Sequence, residues 1–187
     1  DCQCLKEKYV LPVRSVGVQG DFRTYRFPSV LSFTQIEDGF YKHPQDWNKV
    51  EQASSYITNS AQFINRTLLR LYQKPGAVLS LQEGCCDRRR LDQLREADNI
   101  VLTELHKSGW YNKIFQHLTI DLPYASGADR VSFVLRPVCS EDVMTARFAH
   151  LPTEVLDPVI HQIAALPFVD ALYYDATNKP PATFGWE

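Results

Sequence analysis

The chain has 187 residues, with 20 lysines and arginines against 22 aspartates and glutamates, which gives a net charge of −2 at neutral pH. This balance supplies no positive field for a phosphate backbone, so a nucleic-acid partner is not expected. The sequence contains no run of about 18 apolar residues, and its start lacks the charged-then-apolar order of a signal peptide, so no membrane insertion is expected. Because the chain opens on Asp1 rather than Met, we expect a fragment or a processed product.

The cysteines indicate a reduced, cytoplasmic protein. They are an odd number in a chain large enough to fold without disulfides, and none of their spacings is the Cys-x-x-Cys of common zinc sites. We therefore predict no bound metal. The five are Cys2, Cys4, Cys85, Cys86 and Cys139. Cys85 and Cys86 fall in a turn-like segment, where solvent-accessible thiols are expected.

The first residues predict two strands joined by a glycine-containing loop. Residues 9–18 are mostly apolar or β-branched and predict one strand, which ends in Gln19-Gly20-Asp21. From the local sequence alone, a hairpin turn capped by Asp21 is favoured over a binding role for that residue. Pro28 in the second strand indicates a sheet edge or a bulge. Large residues on one parity mark that strand: Tyr25, Phe27, Leu31 and Phe33.

Two helices are predicted from apolar stripes with marked ends. The first begins after Asp46, a favourable N-cap, and its stripe comprises Trp47, Val50, Ser54, Ile57, Ala61 and Ile64. A short strand at 66–72 and a connector follow, and we place an internal boundary there. The second helix begins near Asp87 and ends at Gly109. Its apolar face comprises Leu91, Leu94, Ala97, Val101, Leu102 and Leu105.

The remaining residues repeat the order strand, strand, helix, strand. Apolar residues alternate along 114–122, and Gln116 is the polar member of its face. A buried amide needs hydrogen-bond partners, and from the local sequence neighbouring backbone is favoured over a ligand. Pro158 either starts the following helix or kinks its first turns. The later elements are predicted at 131–135 (strand), 155–163 (helix) and 168–174 (strand).

The C-terminal residues are expected to dock on the protein. Lys179 precedes two prolines, whose rings fix φ and push the preceding residue toward extended conformations, so this lysine is expected on a stiff arm. Phe184 and Trp186 follow. A disordered tail is normally poor in aromatic residues, so these two are expected to pack against other parts of the chain.

The two halves have the same order of elements, from about Tyr9 to Tyr72 and from about Ile114 to Tyr174. At corresponding places stand Gly20-Asp21-Phe22-Arg23 and Gly127-Ala128-Asp129-Arg130. We therefore predict an α+β fold of two related β-β-α-β subdomains, with helices packed on antiparallel or mixed sheets. The predicted subdomains are residues 1–80, with the glycine loop, and residues 87–187, with the C-terminal arm.

Four stretches resemble the family of guanosine monophosphate (GMP) synthases, glutamine-dependent ligases that aminate xanthosine monophosphate (XMP). They are Ser15-Val-Gly-Val-Gln-Gly-Asp-Phe-Arg-Thr-Tyr25, Leu94-Arg-Glu-Ala-Asp98, Asp142-Val-Met-Thr-Ala146, and Lys179-Pro-Pro-Ala-Thr183 with Trp186-Glu187. The order of the first two is that of the longer, eukaryotic-type members. The sequence lacks the family's ATP-pyrophosphate loop and a recognisable amidotransferase site, so the resemblance is to the C-terminal dimerisation domain.

The resemblance implies a domain that pairs subunits and completes the nucleotide pocket of the family's own ATP-pyrophosphatase domain. The family's XMP contacts carry over to Asp21, Gln116 and Lys179. Arg23, beside the Asp21 loop, is an additional candidate for a phosphate contact, and an exposed structural arginine explains it equally well. A fourth contact does not carry over, because Gly185 stands where the family has an acidic residue. No residue of this chain is expected to be catalytic.

We therefore expect a homodimeric domain that is inactive alone and holds no cofactor, with ATP and magnesium bound elsewhere in the full enzyme. The homodimer is expected because aromatic-rich strands would leave a sheet face exposed in a monomer; the residues concerned are Tyr25, Phe27, Phe133 and Tyr173. One competing hypothesis is a dimerisation module whose nucleotide site has decayed, which Gly185 favours. Another is a nucleic-acid-binding domain, which the charge disfavours.

Overall fold

The described part of the chain, residues 6–20 and 22–186 of a computed structural model, forms a large β-sheet, a small one and three α-helices. The strands are β1 (Glu7–Val10), β2 (Ser15–Gln19), β3 (Phe22–Ser32), β4 (Ile64–Gln73), β5 (Ser80–Leu81), β6 (Gln116–Leu122), β7 (Tyr124–Ala125), β8 (Val131–Cys139), β9 (Arg147–Phe148) and β10 (Val169–Asp175). The helices are α1 (Trp47–Ser60), α2 (Arg88–Lys107) and α3 (Thr153–Ala164). None of the helices in the described residues is long and apolar enough to cross a membrane.

The large sheet is mixed and has the strand order β1-β3-β4-β10-β8-β6, while β2 pairs with β3 and β9 with β8. β3 and β4 are parallel and joined through α1, and β8 and β10 are parallel and joined through α3. β4 and β10 meet antiparallel in the middle, with Leu69 opposite Tyr174. The predicted α+β class is confirmed. The subdomain division at residues 80–87 stays a prediction, and strands from both sides of it share this sheet.

The helices begin where the sequence supplies a cap. The Asp46 carboxylate accepts the backbone N–H groups of Asn48 and Lys49 at the start of α1, and Asp87 accepts that of Arg90 at the start of α2. Gly109, just after α2, has φ +71°, which glycine adopts without strain. These predicted ends are confirmed. α3 begins at Thr153, so Pro158 lies inside the helix and does not start it.

The strand predicted over residues 9–18 is wrong, because the chain forms two strands there. β1 pairs with the end of β3 and β2 with its start, and residues 11–14 between them leave the ladder. Pro12 lacks the N–H that a continuous strand would need, and its neighbours Leu11 and Val13 are buried instead. Pro28 lies at a register shift between β3 and β4, as predicted for a bulge.

Both faces of the central strands are covered by the chain itself. The helices pack on one face, over residues such as Leu69, Phe133 and Leu172. On the other face, Tyr173 packs in a cluster with Leu11 and Val13. Phe133 and Tyr173 are fully buried. The expectation of exposed aromatic residues is therefore wrong for Phe133 and Tyr173, which point into the two cores, whereas Tyr25 at the start of β3 is exposed.

Candidate functional site

The residues that follow β10 form a C-terminal arm, residues 176–186, that runs back along β2. The Val18 N–H donates to the Pro181 carbonyl at 2.8 Å, and Gly17 bridges to Ala182. A Cβ on Gly17 would lie 2.7 Å from the Pro181 oxygen, so only glycine permits this approach. Both proline peptide bonds of the arm, Lys179-Pro180 and Pro180-Pro181, are cis. The arm is thus an additional edge beside the hairpin of β2 and β3.

A buried ionic cluster, which we call the arginine seat, fastens the arm to the sheet. It consists of Arg66 on β4, Arg136 on β8 and Asp175 at the end of β10, and all three side chains are fully buried. The Asp175 carboxylate oxygen Oδ2 lies 2.7 Å from Arg66 Nη1 and 3.0 Å from Arg136 Nη1. Burial alone would raise the pKa of Asp175, but the two guanidinium charges and hydrogen bonds outweigh it, so its pKa lies below the usual value.

The arginine seat binds the backbone of the arm as well as Asp175. Arg136 donates to the carbonyl oxygens of Thr183 (Nη2, 2.6 Å) and Phe184 (Nε, 2.9 Å). Arg66 donates to the Thr183 hydroxyl at 2.9 Å and to the Gly185 carbonyl. Because guanidinium groups have several donors in fixed directions, two arginines can hold three successive residues of the arm in one conformation.

Trp186 completes the attachment of the arm. Its indole Nε1 donates to Asp175 Oδ2 at 3.0 Å, and the Arg66 guanidinium lies 4.9 Å from the centre of its ring. The Phe184 ring packs on Phe115, with ring centres 5.4 Å apart. The prediction that Phe184 and Trp186 dock on the protein is confirmed.

Lys179 is held at its backbone and at its amine. Its backbone N–H and carbonyl both pair with Ala146, and the side chain of the preceding Asn178 donates to Glu51 on α1 at 2.7 Å. The Lys179 ammonium donates to the Val143 carbonyl at 2.7 Å and lies 4.4 Å from the centre of the Phe184 ring. Contacts of its backbone, of the preceding Asn178 and of its ammonium therefore hold Lys179 in place, as expected for a lysine on a stiff arm.

Gln116 is next in sequence to an aromatic residue that packs near Lys179. It begins β6 and follows Phe115, whose ring packs on Phe184 beneath the Lys179 ammonium. Gln116 is exposed, so the sequence-based assumption that it is a buried amide satisfied by neighbouring backbone is wrong. The reason is its place at the first residue of an edge strand, where the side chain reaches solvent.

The glycine loop contributes Arg23 to the vicinity of the arm. Arg23 is exposed on β3 and pairs with Val18 of β2, which itself binds Pro181. Its backbone is therefore two strand spacings, about 10 Å, from the arm. Asp21 lies outside the described residues, and its predicted role stays a prediction. Its neighbour Gly20 has φ +61°, in the region that glycine tolerates.

Comparison with known proteins identifies the family of this chain. The family model described as the GMP synthase C-terminal domain matches residues 6–81 and 103–186. The chain belongs to this family.

Several curated relatives share this domain. The chain is 37% identical over 180 residues to a probable glutamine-hydrolysing GMP synthase of Leptospira interrogans, covering 95% of the chain and 28% of that protein. GMP synthases of Oleidesulfovibrio alaskensis (40% over 122 residues; 60% of the chain, 24% of that protein) and Chlorobaculum tepidum (38% over 133 residues; 66% and 26%) are also similar. The chain spans about a quarter of the length of these curated relatives.

The Leu94–Asp98 motif of this GMP synthase domain lies on α2 and attaches it to β6. The Thr119 hydroxyl donates to Asp98 at 2.8 Å and contacts His117 Nε2 at 3.0 Å. Burial lowers the pKa of His117 to about 3, so its ring is neutral at physiological pH. The motif thus fixes the strand on which Gln116 lies, while Asp98 itself is directed at Thr119.

The arginine seat was not predicted from the sequence. A signal was present, because Arg66 and Arg136 lie two positions from Leu68 and Val134, so each shares a strand face with a buried apolar residue. A charged residue at such a position is rare unless it is paired. The pairing itself depends on β4, β10 and β8 lying side by side, which local patterns do not show.

The second half of the domain uses its corresponding loop differently. Arg130, the counterpart of the exposed Arg23, donates to the buried Asp170 and to the carbonyl oxygens of Pro167 and Val169. Asp129 is bound by Arg89 of α2 at 2.7 Å. These charges of the second-half loop are therefore engaged within the chain.

Proposed function

We propose that this chain completes the XMP-binding pocket of a glutamine-hydrolysing GMP synthase. The observation that carries the proposal is the presentation of Lys179, whose ammonium is fixed beside Phe184 by a hydrogen bond to the Val143 carbonyl. Asp21 and Arg23 of the glycine loop would join Lys179 from the neighbouring hairpin. The family membership supports an acceptor pocket shared between this domain and the rest of the protein.

The residue types suit a purine nucleotide monophosphate. An ammonium has three donors, and the contact with Val143 uses one, so two remain for a phosphate or a ring oxygen. The exposed Gln116 amide offers a donor and an acceptor to a purine edge. Arg23 offers a planar pair of donors that matches phosphate oxygens.

We further propose that the other steps take place outside this chain. In the full-length protein, an ATP-pyrophosphatase domain would bind ATP and magnesium and adenylylate XMP, and an amidotransferase domain would release ammonia from glutamine to displace AMP. The chain alone would then neither consume ATP nor hydrolyse glutamine. A cytoplasmic location is proposed on the same basis.

Replacing Lys179 in the full-length enzyme tests the proposal. Loss of a charge-assisted hydrogen bond of roughly 1.5–3 kcal/mol should raise the Michaelis constant for XMP about ten- to a hundredfold in Lys179→Ala. Lys179→Arg should also be impaired, because a planar fork does not replace a point charge in a shaped site. Glutamine hydrolysis should change less.

Lys49→Ala is the matched control, since Lys49 is an exposed lysine on α1. It should leave the steady-state constants for XMP unchanged. If Lys179→Ala behaved like Lys49→Ala, the arm would have a structural role alone and the proposed pocket would be wrong.

Homodimerisation is proposed on the resemblance and on the part of the expected aromatic surface that is exposed, around Tyr25. Exposed aromatic residues near the glycine loop, Phe22 (79% exposed) and Tyr25 (56%), are the surface that we expect to take part. Sedimentation of the wild-type chain and of Phe22→Ser over a range of concentrations measures this. A monomer at all concentrations in the wild type would refute the homodimer for this chain.

A further inference from the structure

We infer that the consecutive cysteines Cys85 and Cys86 form a modification site that exchanges with low-molecular-weight disulfides such as glutathione disulfide, and that the C-terminal arm senses its occupancy. Both thiols are free and exposed in the connector between β5 and α2. This connector lies between the two segments that match the GMP synthase C-terminal family, 6–81 and 103–186. The site does not depend on the proposed nucleotide pocket.

The structure fixes the backbone on both sides of the cysteine pair. Asp87, the cap of α2, donates its N–H to the Cys85 carbonyl at 2.9 Å. On the other side, Gly84 packs under Arg90, where a Cβ would lie 2.0 Å from the guanidinium. Arg90 is itself held by two hydrogen bonds to Asp121, of 2.8 and 2.6 Å. The thiols are therefore presented from an anchored turn.

A cavity of about 500 Å³ lies beside the cysteine pair. Its walls include Leu94 of α2 and Ile120 of β6, and Gly185 and Trp186 of the arm close another side. The volume falls within the roughly 300–1,000 Å³ of small-molecule sites in proteins, so it accommodates a tripeptide-sized substituent on either sulfur. A group attached there would meet Trp186.

The modification is a thiol–disulfide exchange. The thiolate of one cysteine attacks a sulfur of glutathione disulfide, the new sulfur–sulfur bond forms as the old one breaks, and the released glutathione thiolate takes up the proton that the cysteine lost. Closure of a Cys85–Cys86 disulfide is disfavoured, because the peptide bond between them is trans. Their Cα atoms are then about 3.8 Å apart, whereas disulfides usually span roughly 4.4–6.8 Å. The mixed disulfide is thus the product that persists.

Cys139 provides an internal comparison. Its thiol is partly buried and donates to the Lys113 carbonyl at 3.6 Å, and burial raises its pKa. A smaller thiolate fraction and restricted access both slow exchange. Because Cys139 is less accessible than the exposed pair, we expect glutathione disulfide to react selectively with Cys85 and Cys86.

The experiment treats the 187-residue chain, carrying Cys2→Ser and Cys4→Ser, with glutathione disulfide, and follows intact mass, modified peptides and tryptophan emission. We expect one glutathionyl group on the Cys85–Cys86 peptide, and reaction at Cys139 at least about tenfold slower. The emission should change with the same rate, and dithiothreitol should reverse both changes.

Two variants assign the signals. Cys85→Ser with Cys86→Ser, at exposed positions, should abolish the mass gain and the emission change. Trp186→Phe should retain the mass gain and lose the emission change. Equal reactivity at Cys139, or loss of two hydrogens as the main product, would overturn the modification site. An emission change that is absent, or that survives in Trp186→Phe, would overturn the coupling to the arm.

Discussion

At the scale of single residues, the arginine seat explains why the arm is attached so firmly. Two guanidinium groups share the Asp175 carboxylate in a fully buried cluster. The carbonyl oxygens of Thr183 and Phe184 supply further acceptors to the buried Arg136 guanidinium. The arm therefore supplies hydrogen-bond acceptors that water would supply to an exposed arginine. Removing the arm would leave the two buried arginines short of acceptors.

Asp175→Asn tests this arrangement. The substitution keeps the size of the side chain but removes the charge between two buried guanidinium groups. Breaking a buried pair in this way should lower the free energy of unfolding by about 3–5 kcal/mol, measured by urea denaturation. Asp92→Asn is the control, because Asp92 pairs with Arg95 and Arg88 on the surface, and its loss should cost at most about 1 kcal/mol. Similar losses in both variants would contradict the proposed importance of the arginine seat.

The lowered pKa of Asp175 predicts a pH dependence with a definite sign. Stability from this carboxylate is fully present above the ordinary aspartate pKa of about 4 and is lost as the pH falls through the lower pKa of the folded state. Unfolding free energies measured from neutral pH downward should therefore fall less steeply in Asp175→Asn than in the wild type. If the free energy of unfolding fell equally steeply with pH in the wild type and in Asp175→Asn, other carboxylates would be the cause of the acid sensitivity.

At the scale of elements, the packing of the arm on β2 depends on Gly17. Besides the Pro181 oxygen, a Cβ there would meet Asn65 Nδ2 and Thr24 Oγ1, each at 2.9 Å. Asn65 is buried and accepts from and donates to Ser15, so it has little freedom to move away. A Cβ on Gly17 would therefore displace the Pro181 backbone of the arm. Such a displacement would also move Lys179 from its fixed position.

Gly17→Ala should therefore loosen the arm. Overpacking of this kind should cost about 1–3 kcal/mol of stability, and limited proteolysis should cut the arm faster than in the wild type. Gly127→Ala is the matched control, because a Cβ on Gly127 meets nothing within 4 Å. If the two variants were cut at the same rate, the contact between Gly17 and Pro181 would not determine how the arm is held.

The elements that the sequence predicted well are those with local signals. α1 and α2 have capping aspartates and apolar stripes, and both begin at the expected cap. The break between β1 and β2 was missed because alternating apolar residues continue across Pro12, and only pairing with β3 shows that the ladder is interrupted. The stiff presentation of Lys179 was predicted from its prolines, whereas its hydrogen-bond partners Val143 and Ala146 lie more than 30 positions away in sequence.

At the scale of the whole molecule, the two halves form one structural unit. β4 of the first half and β10 of the second lie side by side at the centre of the sheet. The core beneath the helices contains Leu31 from the first half and Leu135 from the second in one cluster. Each half therefore buries apolar surface that the other half helps to cover, and the arginine seat spans the same central strands.

We expect this shared core to unfold in a single transition. Neither half keeps its buried surface if the other unfolds, so circular dichroism and tryptophan fluorescence should give the same urea midpoint. Leu31→Ala and Leu135→Ala should each cost about 2–5 kcal/mol and shift both signals together, although they lie in different halves. Two separate transitions, each shifted by one of the variants, would instead support independently stable subdomains divided near residues 80–87. In that case the contact between β4 and β10 would contribute less to the free energy of unfolding than the core of either half.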